Sequence, residues 1–456
     1  MKIKKDKLIV WSILLAVVIL ISLFSNLNKD ISKSELINDD NIIINQSEIN
    51  SSEADDKIIN KDDSKDSLES KESESIASQA ESEIETVTES DVSSETEETV
   101  KPEETESEII ETSSEIIENQ NIKGVWISYL SLMSKSEDEF KSNFINLINK
   151  AKDKGVTDVF VHVRAFADAL YESEYFPVSH LVTGTQGDKL SFDPLEFMIE
   201  ESHDLGLKFH AWINPLRIKT SGTPKSLSED NVYNKYFESD PYFFIETESV
   251  TILNPAYSFV RELVSNGIRE IVNNYNVDGI HFDDYFYPEE YDVSGDAAYK
   301  VYCENTDNPV SPEEFMCANI NSLVALCRSA AKSNGTNVLF GISPQGNQKN
   351  NMKLGADTAL WCKTKGYIDY ICPQLYWSYD NPALGFREAL DSWVNLEMHD
   401  ELDLLVGLAL YKIDTESDSG TWVDGSNMID RQEKDALDKG ARGVIYYEIA
   451  QLDKLN

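Results

Sequence analysis

Two adjacent carboxylates at the end of a short apolar run are the part of this sequence best equipped for chemistry. They are Asp283 and Asp284, within the stretch Val277–Pro288, VDGIHFDDYFYP. An Asp-Gly pair leads into the run, and Tyr-Phe-Tyr-Pro follows the acids. This is the pattern of a buried parallel strand that delivers acids to the mouth of a barrel. A carboxylate on a rigid strand end beside aromatic rings suits the cleavage of a glycosidic bond. The plainer reading is that the pair caps a helix or solvates a loop. The aromatic flank and the polar ends of other strands weigh against it.

Those other ends follow from the two-residue period of a strand. VFVHVR puts His162 and Arg164 on one face, and FHAWINPLR groups His210, Trp212 and Asn214. His281 shares a face with Asp283, CPQLYW aligns Cys372, Gln374 and Tyr376, and Glu448 ends the run YYE. The expected substrate-binding set is therefore Arg164, Asp168, His210, Trp212, Asn214, His281, Tyr285, Gln374, Tyr376 and Trp377. Aromatic rings suit the apolar faces of sugars, and amides, acids and guanidinium suit their hydroxyls. Each also has a structural reading. His210 and His281 fit as satisfied core histidines, Arg164 as a scaffold partner of Asp168, and Trp212, Tyr376 and Trp377 as core. His281 and Asp283 could be drawn as metal ligands, but no HExxH motif or spaced acidic cluster supports it, so neither metal nor cofactor is expected.

Glycoside hydrolysis normally uses two carboxyls flanking the bond. Neighbours on a regular strand point in opposite directions, so Asp283 and Asp284 make a poor pair unless the pleat breaks there. Asp283 is read as the pocket-facing nucleophile or stabiliser, and Asp284 as a residue that orients neighbours. Glu448 is the first candidate for proton donor and Asp168 the second. Alternatively a substrate N-acetyl group attacks and Asp283 polarises it.

Eight β-rich runs must carry these residues: Ile122–Leu130, Thr157–Arg164, Lys208–Trp212, Gly279–Asp283, Asn337–Ile342, Tyr370–Leu375, Leu404–Ala409 and Gly443–Tyr447. Helical stretches fall between them at Glu137–Lys154, Pro194–Leu205, Tyr257–Asn274, Pro312–Ser333, Phe386–Leu396 and Met428–Lys439. Asp193 before Pro194 is a good N-cap with proline at the first helical position, and Gly155 a natural stop. Eight strands alternating with helices predict an α/β fold, a (β/α)8 TIM barrel over residues 122–456. Only eight residues follow Glu448, so the eighth helix is expected to be very short or absent.

The first 121 residues are different material. Residues 1–7 are lysine-rich and form a basic tail expected in the cytoplasm. Residues 8–24 carry no charge and read as an uncleaved transmembrane anchor in preference to a cleaved signal sequence. The lysines would stay inside and the rest of the chain outside, at the cell membrane, or secreted if the segment is cleaved. Residues 25–121 hold 29 acids against 7 lysines, with no aromatic residue and one proline. Such a stretch cannot bury enough apolar surface to order itself and is expected to be a disordered tether, with ends roughly 55 Å apart as a coil. The remaining domain carries a net charge of −23 out of the total −42. That acidity argues against nucleic acid as a partner, because phosphate binding needs clustered Lys and Arg. The five cysteines show no CxxC spacing and read as buried small hydrophobes.

Residues 122–450 resemble the glycosyl-hydrolase-like 10 family. The resemblance rests on Gly124–Leu130, Val163–Gly187, Phe192–Arg217, Val277–Pro288 and Tyr370–Trp377. It implies a barrel hydrolase acting on polysaccharide, with cell-wall peptidoglycan glycan as the expected substrate. Some members act on strands that lack stem peptides. A catalytically inactive barrel serving as a tethered carbohydrate-binding module is the second reading, because NVLFGISPQG offers no obvious second acid at the fifth strand.

Overall fold

The computed structural model describes residues 121–134, 136–335 and 337–456. The basic tail, the apolar run and nearly all of the acidic stretch lie outside these residues. Among the described residues no helix is long and apolar enough to cross a membrane.

Eight parallel strands close into a barrel in sequence order. They are β1 (Ile122–Ile127), β2 (Asp158–Arg164), β3 (Lys208–Ile213), β4 (Gly279–Phe282), β5 (Leu339–Ile342), β6 (Tyr370–Ile371), β7 (Asp403–Ala409) and β8 (Gly443–Tyr447). The return from β8 to β1 pairs Ile122 with Gly443 and Val125 with Tyr446. Outward-facing Val159, Val161, Phe209, Ala211, Ile280 and Phe282 are fully buried under the helices. This two-sided burial is why the strands read as continuous apolar runs. β6 is shorter than its sequence predicts. Pro373 has no N–H to give the ladder, so pairing resumes only as bridges from Gln374 to Gln345 and Gly407.

The helices start and stop where their caps dictate. α1 (Glu137–Asp153) begins at Ser136, whose side chain accepts the Glu139 N–H, and buries Phe140, Phe144, Ile148 and Ala151. α2 (Pro194–Asp204) begins at Asp193, which accepts the N–H groups of Leu195 and Glu196. α3 (Ser258–Asn274) and α4 (Pro312–Ala331) flank β4, and α4 opens with a Ser311–Glu314 capping box. In place of an eighth helix, the 3-10 turn Ile449–Lys454 buries Ile449 and Leu452.

One excursion went unread in the sequence. After β3 the chain builds a three-stranded antiparallel sheet from Arg217–Thr220, Phe244–Glu246 and Val250–Leu253. These strands are three or four residues long, too short to show a period.

The barrel interior is filled with rings. Trp126, Phe160, Trp212, Tyr370, Cys372, Leu405 and Ile445 form one inner cluster. Glycines make room for them: a Cβ at Gly279 would overlap the His210 imidazole, and one at Gly341 the Tyr370 ring. Register pairs His210 with Gly279 and Trp212 with His281. Asp283 is therefore the next inward position above the His281 layer. Four cysteines are buried, Cys303 is half-buried and all five are free thiols.

Candidate active site

Asp283 stands at the C-terminal mouth, just past the end of β4, and is 2 % exposed. Its Oδ2 accepts the Trp212 indole N–H at 3.1 Å and the Asn214 amide at 3.3 Å. Its Oδ1 is buried without a hydrogen-bond partner. Burial pushes the carboxyl up to about 7, against the pull of the Arg217 cation and with the help of the neighbouring Asp284 charge. His162 stacks on Trp212 with ring centroids 3.3 Å apart, and its Nε2 lies 3.9 Å from Asp283 Oδ2. Burial holds this imidazole well below its ordinary value and so neutral. Its Nδ1 accepts the Tyr129 N–H at 3.2 Å, which leaves the proton on Nε2, facing Asp283.

The pleat ends at Phe282, and the two acids diverge. Asp283 turns to β3. Asp284 turns to the β6 side, where Gln374 Nε2 donates to it at 3.0 Å. Gln374 also donates to the Ser343 carbonyl at 2.9 Å, which fixes its amide. Burial raises the Asp284 carboxyl, opposed by its bonds from Gln374 and Gln345. Glu448 follows β8 and accepts from Ser131 Oγ at 3.3 Å. Burial raises it too, against hydrogen bonds from Ser128 and Ser131. Tyr376, Tyr411 and Tyr447 form a triangle of rings, each pair 5.9 Å between centroids. Tyr447 touches Trp126 below, at 6.0 Å. Tyr285 sits on the rim, 51 % exposed, with the Arg217 guanidinium 4.9 Å from its ring.

Trp212, Asn214, Tyr285, Gln374 and Tyr376 thus gather round the acids, and five expected residues do not. Arg164 faces out of the barrel. A register shift between His162 and Arg164 inserts an extra residue into β2, so the two do not share a face. The Arg164 guanidinium lies over Phe176 at 4.2 Å, and a Cβ at Gly267 of α3 would press on its Nη1. His210 is a core residue one layer down, bonded to Asp158 at 3.0 Å and stacked on Phe160 at 4.3 Å. His281 is also core. The Trp126 indole donates to its Nε2 at 3.0 Å, so its Nδ1 carries the proton and faces the Tyr370 hydroxyl at 2.9 Å. It supports the layer beneath Asp283. Asp168 belongs to a separate buried network with His180 and Gln186, at 3.4 and 2.9 Å. Trp377 is half-buried, its ring over Gly346 on the β5 loop.

Among the residues not chosen from sequence, Arg217, His162, Tyr411 and Tyr447 line the mouth. The signal for Arg217 was the Asn-Pro-Leu-Arg turn, in which Asn214 Oδ1 accepts the Arg217 N–H at 2.9 Å. Among the described residues, no group of three or more His, Cys, Asp or Glu could hold a metal ion. A polar surface hollow of about 500 Å³ lies elsewhere, beside the small sheet and lined by Lys219, Lys225 and Glu248. It contains none of the three carboxyls, which all belong to the mouth.

Residues 121–424 match the glycosyl hydrolase-like 10 family. The chain belongs to that family. Membership makes it a glycoside hydrolase. It is 32% identical over 364 residues to "Glycosyl hydrolase YngK" of Bacillus subtilis strain 168, covering 74% of this chain and 69% of that one. It is 28% identical over 331 residues to "Glycosyl hydrolase DigH" of Escherichia coli K12, covering 65% and 74%. The fold resembles the PgaB (BpsB) glycoside hydrolase domain from Bordetella bronchiseptica, with TM-score 0.51, 14% identity and coverage of 72% and 94%. It also resembles the catalytic domain of beta-amylase from Paenibacillus polymyxa, with TM-score 0.50, 11% identity and coverage of 73% and 93%.

Proposed function

We propose that the barrel hydrolyses glycosidic bonds in the glycan strands of cell-wall peptidoglycan, with Asp283 as proton donor. One observation carries this reading: a carboxyl only 2 % exposed, with one oxygen lacking a hydrogen-bond partner, at the mouth of a barrel lined with tyrosines. At neutral pH such a group is protonated often enough to give its proton to a leaving oxygen. That environment favours a donor over the nucleophile expected from the sequence alone.

The partner is Asp284. Two adjacent acids suit a substrate that brings its own nucleophile, the 2-acetamido oxygen of an N-acetylated sugar. Asp283 protonates the glycosidic oxygen as the bond to the anomeric carbon breaks. The acetamido oxygen bonds to that carbon, and Asp284 stabilises the positive charge that develops on the acetamido group. Water then displaces the acetamido oxygen from the anomeric carbon, which restores the acetamido group, and gives a proton to Asp283, with net retention and one water consumed. Glu448, across the mouth, binds substrate hydroxyls with the tyrosine triangle. The N-terminal run anchors the enzyme in the membrane, and the acidic stretch lets the barrel reach the wall. The charge pattern of residues 1–121 supports this placement.

Reducing-end release from purified glycan strands tests the assignment. Asp283→Asn and Asp284→Asn should each lose at least about a hundredfold in kcat, and Glu448→Gln should lose mainly in KM. A Glu448→Gln variant as dead as Asp283→Asn, beside an active Asp284→Asn, would make Glu448 the second carboxyl and end the acetamido route.

A further inference from the structure

The mouth that gathers three carboxyls also holds a guanidinium. Arg217 opens the small sheet directly after β3, and its Nε donates to the Ala165 carbonyl at 3.0 Å. Tyr285, Phe166 and Tyr129 ring it at 4.9, 5.0 and 5.9 Å from the guanidinium carbon. Its charge is felt by Asp283 and Asp284, yet among the described residues its Nη nitrogens bond to neither. The Nη nitrogens of Arg164 are sealed in without partners, whereas Arg217 keeps 8 % of its surface exposed against 1 % for Arg164.

We propose that Arg217 binds a carboxylate carried by the substrate, on a sugar at or beside the scissile bond. A guanidinium presents parallel N–H donors that match a carboxylate fork. Here the fork is held by one backbone carbonyl and three rings, so little ordering is lost on binding. A domain of net charge −23 otherwise repels an anionic strand, which makes a cation at the mouth a recognition element. A muramic acid whose 3-O-lactyl carboxyl bears no peptide carries such a group, and so does a uronic acid. Converting the carboxyl to an amide removes the charge that Arg217 reads. This inference rests on the glycan-hydrolase reading above.

Three probes test it: peptide-free peptidoglycan strands, the same strands with the lactyl carboxyls converted to methylamides, and oligoglucuronate. The wild-type enzyme should favour the free acid over the methylamide by roughly 10- to 100-fold in kcat/KM, and Arg217→Gln should collapse that ratio to near one. A ratio unchanged in the variant overturns the proposal and makes Arg217 a counter-charge to the acids. Calorimetric binding to the Asp283→Asn protein, with and without Arg217→Gln, reads the subsite independently of cleavage. A free-acid preference in binding that Arg217→Gln abolishes, without turnover by the wild type, upholds the subsite and overturns the hydrolase reading. Equal binding of acid and methylamide overturns the subsite. Oligoglucuronate bound more tightly than the lactyl strands upholds it with a uronate as the ligand.

Discussion

Replacing Asp283 by Asn should make the protein more stable at alkaline pH while abolishing its activity. The carboxyl titrates near 3.8 in an unfolded chain and at about 7 when buried at the mouth. Between those values the folded protein binds more protons than the unfolded one. The contribution of Asp283 to stability is therefore most favourable below pH 4 and falls as pH rises through 7. Over the full span this amounts to about 4 kcal/mol, an order-of-magnitude figure. Asn cannot ionise, and its amide oxygen can still accept the Trp212 indole N–H. The variant should match the wild type near pH 4 and exceed it by up to about 4 kcal/mol at pH 8, or roughly 6 °C in Tm for a domain of this size. Thermal or urea unfolding of both proteins from pH 4 to 9, followed by circular dichroism, measures the difference. A stability gain independent of pH would refute the idea that desolvation of the charged form perturbs this acid.

Three further outcomes follow from the same geometry. The descending limb of kcat/KM should fall near pH 7, and Arg217→Ala should move it to higher pH, because the cation holds the Asp283 pKa down; a limb that stays put in the variant contradicts this. Gly279→Ala should cost about 1–3 kcal/mol or more, since the new methyl overlaps His210 in the packed interior; denaturant unfolding measures it, and a neutral result would mean the ring layer can shift. Arg164→Met should leave kcat/KM within about twofold and stability within about 1 kcal/mol, because it replaces a sealed cation with unpartnered Nη groups by an apolar chain of similar length; a large kinetic loss would place Arg164 in the site after all.

Much of the barrel was legible because its strands are buried on both faces and its helices carry strong caps. Gly443–Tyr447 matches its expected bounds, and α1 and α2 end one residue before theirs. The acids at the end of β4 were legible for the same reason: a polar pair that closes a fully apolar run marks the point where a buried strand reaches the mouth. What failed did so where alternation was trusted too far. The bulge after His162 leaves no mark in VFVHVR, so Arg164 was assigned to the wrong side of the sheet. His210 and His281 obey the period, but depth along a barrel axis depends on register between strands, which one strand does not encode. Arg217 was missed because its strand lasts four residues and its place at the mouth depends on the Asn214 turn and on packing against Ala165.

Mass analysis of digests of peptide-free cell-wall glycan tests the central claim most directly. The wild-type protein should yield shorter oligosaccharides, each cleavage adding one water and a new reducing end, and Asp283→Asn should yield none. Intact strands after wild-type digestion, products that lack the added water, or cleavage that persists in Asp283→Asn would contradict it.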